Sequence, residues 1–134
     1  MGVTWSVKAV VGARLSEIGH HEEYEDIVET RYNELTGEPY KKMVGRKLIR
    51  ETVGKYVGDD WRERFHHHFF SDGDCGGDDH TYIGHCMNEI DERHANEVTE
   101  IQSPAAHISS AAQFLKKEFG YEGPISIYLI AHVG

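Results

Sequence analysis

The sequence predicts an α+β fold: a mixed, largely antiparallel sheet of about five or six strands with one main C-terminal helix, residues 103–119. Three observations predict it. The N-terminal residues alternate with a period of two. Two β-compatible runs flank a Gly-containing turn. Near the C terminus a capped apolar stripe at helical spacing precedes a nine-residue apolar run.

The first strand rests on Val3, Trp5, Val7, Ala9 and Val11, with Thr4, Ser6, Lys8 and Val10 between them. His20 to Asp26 is polar and acidic and reads as a loop. Ile27 to Leu35 and Tyr40 to Arg50 then flank Thr36-Gly37-Glu38-Pro39, a hairpin signal. Charges along both arms, such as Glu29, Arg31, Lys41 and Lys47, predict that one hairpin face meets water. Asp59 to Phe65 reads as a short helix capped by Asp59 or Asp60.

The C-terminal third carries the clearest local signals. Val98 to Gln102 reads as a short strand. Ser103 suits an N-cap and Pro104 the first helical position. Ile108, Ala111, Ala112, Leu115 and Phe119 form one stripe. Lys116 and Lys117 oppose the helix dipole, and Gly120 suits the left-handed position that ends the helix. Ile125 to Val133 is apolar on both faces, which predicts a central, doubly covered strand and a strand–helix–strand crossover. A second copy of the chain could cover what one helix leaves open, so a homodimer or higher oligomer is expected.

The 134 residues suffice for one domain, residues 1–134. The net charge of −9 argues against phosphate-backbone binding as the main task, and direct nucleic-acid binding is not expected. All of that charge sits in residues 59–102, which hold twelve acidic and three basic side chains. The same segment holds six of the ten histidines and both cysteines, Cys75 and Cys86. Two cysteines are too few for the disulfide framework of a secreted mini-protein. Residues 1–15 show no signal-peptide core, and no apolar run is long enough to span a bilayer, so no membrane association is expected and the location expected is the cytoplasm, a host's cytoplasm if the protein is viral.

Three chemistries compete for the acidic segment. His66, His68, Cys75, His80 and His85 offer nitrogen and sulfur donors for a zinc-like ion, serving either a metal-dependent enzyme or a zinc-stabilised domain. Asp72 to Asp78 begins like a calcium loop but places Gly76 at its fifth position and Ile83 at its twelfth, where acidic ligands are needed. The third is an interaction surface of Asp72, Asp74, Asp78 and Asp79 with Phe69 and Phe70 as apolar anchors.

No phosphate-binding, dinucleotide or nucleophile-elbow motif is present, so no catalytic residue is assigned. The leading expectation is a small acidic, non-catalytic binding protein that acts through protein–protein contact. A phage- or mobile-element-encoded inhibitor of a host defence or nucleic-acid enzyme is one concrete form. The metal protein is the first alternative, and a small-ligand sequestering or sensing protein is another. His107 and His132 lie on or beside apolar elements and read as structural histidines, or as two walls of a cleft between helix and strand.

Overall fold

The computed structural model describes residues 4–73 and 76–133. Among these described residues the α+β expectation holds, with seven strands, one main helix and only antiparallel pairing. The strands form two sheets instead of one. β1 (Trp5–Arg14), β5 (Phe69–Ser71), β6 (Thr81–Asp91) and β7 (Ser126–Val133) make a four-stranded sheet in the order β5-β6-β1-β7. β2 (His20–Tyr32), β3 (Pro39–Val53) and the short β4 (Tyr56–Val57) make the other. Two single-turn helices, α1 (Leu15–Ile18) and α2 (Trp61–Arg64), join these parts, and α3 (Pro104–Phe119) packs on β1 and β6.

Alternation along β1 sorts the core. Val11 and Ala13 point one way, toward α3, while Val10 points the other. The helix side holds the main cluster, where Leu115 and Phe119 of α3 meet Ala13, Ile83, Val53, Trp61 and Phe65. The opposite side holds a smaller cluster of Val10, Tyr82 and Ile130. Gly12 and Gly84 face each other across β1 and β6. A Cβ on Gly12 would lie 2.0 Å from the Ile83 carbonyl oxygen, so only glycine lets the strands close there.

α3 begins and ends as its sequence predicts, with Pro104 in the first turn and Gly120 left-handed at φ 68°. Ser103 departs from its expected role: it is left-handed itself and makes no side-chain cap. Asp60 precedes α2 likewise without a side-chain cap.

Three expectations are corrected. Residues 98–102 form no strand; the crossover through α3 starts instead from β6, which runs parallel to β7 with β1 between them, so among the described residues no two neighbouring strands are parallel. His20 to Asp26 is not a loop but the first half of β2. β7 is an edge strand paired only with β1, and its Leu129 and Val133 are 73% and 76% exposed. The hairpin forms, but its turn spans Asn33 to Glu38. There the Asn33 side chain accepts from the Leu35 and Thr36 amides, and Gly37 is left-handed.

The hairpin dominates the outline. Only its root joins the core, through His20, Glu51 and Val53. Every residue from 21 to 50 is exposed except Gly45 and Leu48, which are half-buried. Residues 23–32 alone span roughly 30 Å at a strand's rise.

Candidate metal centre

The arm leaves the body at a charged cluster that local sequence explains. α1 ends at Gly19, whose φ of 100° turns the chain into β2. Across the hairpin the Gly54 amide donates to the Gly19 carbonyl at 2.8 Å. Gly54 has φ 55°, and a Cβ there would lie 2.2 Å from the Phe119 carbonyl oxygen. The root is thus pinned to the end of α3. Period-two alternation then puts His20 and Glu22 on the core-facing side of β2, and pairing puts Glu51 opposite Glu22 and Val53 opposite His20.

Glu51 is 1% exposed, the only buried charged residue among the described ones. His20 Nε2 lies 2.7 Å from its Oε2 and 3.4 Å from Glu22 Oε1. His20 Nδ1 donates to Asp78 Oδ1 at 3.0 Å. Arg62 Nη1 reaches both Glu51 oxygens, at 3.1 and 3.3 Å, while its guanidinium stacks 4.4 Å over the Trp61 ring. Trp61 is 1% exposed, and its indole nitrogen completes no hydrogen bond of normal geometry. It still helps to lower the Glu51 carboxyl.

Burial alone would lower the basicity of His20. The hydrogen bonds to Glu51 and Asp78 outweigh it and raise the imidazole above its ordinary value. Burial alone would likewise raise Glu51, but His20, Trp61 and Arg62 outweigh it and hold the carboxyl below its ordinary value. Carboxylates only accept, so an imidazole bonded to two of them carries both N–H groups and the positive charge.

A pH dependence follows. His20 is raised from 6.5, so its contribution to stability is complete below 6.5 and is lost as pH rises through its folded value. Glu51 is lowered from 4.5, so its contribution is present above 4.5 and is lost as pH falls through its folded value. The cluster is expected to stabilise the fold most between these limits and to weaken on the alkaline side. Urea midpoints measured upward from pH 6.5 check this against Glu51→Gln, whose decline should be smaller. Equal declines in both proteins would show that the pair does not contribute.

The donor atoms of His20, Glu22 and Glu51 all lie within 4.8 Å of one another, the one such three-residue group among the described residues. This His/Glu group could hold a metal ion. One imidazole nitrogen and two carboxylates form a donor set that suits a divalent transition metal. Asp78 sits where a carboxylate behind a ligating histidine belongs, holding Nδ1 so that Nε2 faces the other donors.

The donors named from the sequence are spread out. His66 is exposed, with Nδ1 at 2.8 Å from the Glu63 carbonyl oxygen. His68 and His85 do come together, ring centroids 5.0 Å apart beside Phe114. Burial lowers His85, and the nearby His68 and His107 push it the same way. His80 instead meets Asp72 at 2.7 Å, and Tyr82 donates to that same carboxylate at 3.3 Å. Cys75 and Asp74 lie outside the described residues.

The interaction-surface residues also divide. Asp78 bonds His20 as described, and Asp79 is exposed. Phe69 packs on Trp61 at 5.5 Å, and Phe70 packs under the smaller cluster. His107 stands near His85, whereas His132 shares the Ile130 face of β7 beside Gly73, so the two line no common cleft.

Sequence reasoning missed His20, Glu22 and Glu51. A signal for them exists. The alternation that makes Val53 core makes Glu51 core too, but the hairpin register extended from the turn sets Glu22 opposite Ile49, and only two slips on β3 bring Glu51 there. Among the described residues no helix is long and apolar enough to cross a membrane. Comparison with models of protein families, with curated proteins and with solved structures finds no match to this chain.

Proposed function

We propose that this is a metal-binding protein in which one divalent ion, zinc by its donor chemistry, is held by His20, Glu22 and Glu51. The observation that carries the reading is the buried Glu51 carboxylate beside a histidine whose far nitrogen a further carboxylate holds. The ion's role is structural. It ties β2 to β3 where the arm leaves the body, and nothing at the site assigns a nucleophile or a reacting group. Arg62 Nη1 reaches both Glu51 oxygens and so fixes the orientation of that carboxylate.

Metal analysis of protein purified without an affinity tag tests this. About one zinc per chain is expected, with a fall in melting temperature on chelation that zinc reverses. Glu22 is exposed, so Glu22→Gln should fold normally yet bind zinc at least about tenfold more weakly, as should Asp78→Asn. A chain that carries no metal, and whose melting temperature neither zinc nor chelator moves, would overturn the reading.

A further inference from the structure

α3 does not cover the whole of the face it packs on. Leu115 and Phe119 close over Ala13 and Ile83 at one end. Toward the other end, Val7 and Ala9 of β1, Asn88 and Ile90 of β6 and Leu129 of β7 floor a cavity of about 110 Å³. Its wall is Thr99 and Ile101, from the segment that joins β6 to α3. The cavity exists because β6 carries one extra residue. Val11 pairs with His85 on the α3 side, so unbroken pairing would set Met87 opposite Ala9 on that side too. The bulge sets Asn88 there instead, a shorter side chain whose Oδ1 accepts from the Glu89 amide at 2.8 Å.

The covering segment is fixed at both ends by left-handed backbone. Asn96, at φ 66°, and Ser103, at φ 50°, are the only non-glycine residues with positive φ among the described ones. Side chains disfavour that region, and such positions gather where a ligand is clamped. Around Asn96 the chain is pinned by the Asp91 side chain, which accepts from the Arg93 amide, and by the Glu97 amide, which donates to the His94 carbonyl at 3.1 Å. A left-handed Ser103 lacks the extended backbone that side-chain capping needs, so α3 forgoes that cap. Between the two ends every residue is exposed except the half-buried Ile101, and Val98 is 98% exposed. The one side chain that the segment draws away from water is thus a wall of the cavity.

We propose that this cavity binds a small uncharged, apolar molecule about the size of one benzene ring, held between the sheet and residues 96–103. The lining is almost all carbon, so a charged or strongly polar ligand would lose hydration there without regaining hydrogen bonds. Pockets for drug-sized ligands start at about 300 Å³, which excludes a nucleotide. An apolar cavity of about 150 Å³ takes up benzene or xenon. This one is smaller but open to solvent, and Leu129 at its rim is 73% exposed, so a ring need not fit wholly inside. No donor of the candidate metal centre lines the cavity, so the two readings stand independently.

Methyl NMR of the untagged full chain, titrated with benzene, tests it. Saturable shifts are expected for the methyls of Val7, Ala9, Ile90, Ile101 and Leu129, and none for Val53 at the hairpin root. Ala9→Leu fills the cavity from the sheet, and Ile101→Glu sets a charge against the carbon lining from an irregular segment. Each should weaken benzene binding at least about tenfold. Ile101→Glu should keep the native circular dichroism, so it decides the matter should Ala9→Leu fail to fold. The proposal is overturned if no methyl shifts saturably, or if the shifts spread equally to Val28 and Met43 on the exposed arm. It is equally overturned if Ile101→Glu binds benzene as the native chain does.

Discussion

Leu115→Ala is expected to lower folding stability by about 2–5 kcal/mol, measured by urea unfolding. Leu115 is 0% exposed and is the point where α3 enters the main cluster, against Ala13, Ile83 and Phe119. Those neighbours come from two strands of the four-stranded sheet and from the helix itself. They are held by backbone pairing and cannot collapse into the space left behind, so the cavity cost adds to the lost transfer free energy. Ile108 lies on the same stripe but is 38% exposed, so Ile108→Ala should cost less than about 0.5 kcal/mol. A Leu115→Ala loss as small as that would show that α3 does not close the core.

Glu51→Ala is expected to cost about 3 kcal/mol, because one partner leaves a buried charge cluster while the others stay. His20 then keeps Asp78 on one nitrogen, while the other loses its 2.7 Å partner and is left with Glu22 Oε1 at 3.4 Å. The Arg62 guanidinium loses less, since its side chain is 49% exposed and can take water instead. Glu51→Gln keeps the shape and an acceptor oxygen and should cost distinctly less. The two substitutions thereby separate the space that Glu51 fills from the charge it carries. A Glu51→Ala cost below about 1 kcal/mol would mean that His20 simply gives up its proton, and that the ion pair contributes little to the fold.

Local signals made much of the fold legible. Pro104, the stripe through Leu115 and Phe119, and Gly120 define α3 within a window of 17 residues, because capping and helical periodicity act over a few turns. The Gly37 turn and the runs on either side define the hairpin for the same reason. Legibility stopped where the decisive partner was far away in sequence. The apolar run ending at Val133 reads correctly as a strand. Its place at a sheet edge is decided by pairing with β1, more than a hundred residues earlier. Apolar composition says what burial would favour, not whether the chain supplies a cover.

The candidate metal centre shows the same division more sharply. The histidines and acids of residues 59–102 draw attention because they are dense in sequence. Of these, only Asp78 reaches the three-residue group, and it stands behind a histidine 58 residues away. The group itself comes from both strands of a hairpin root, two of its members within a stretch that reads as a polar loop. The sequence by itself determined the α+β class, the main helix, the hairpin and a net charge of −9. Which carboxylate is buried and which strand stands at an edge were decided only by tertiary structure. The physical reason is that burial and strand pairing are set by contacts between distant segments, whereas caps, turns and periodicity are satisfied by near neighbours.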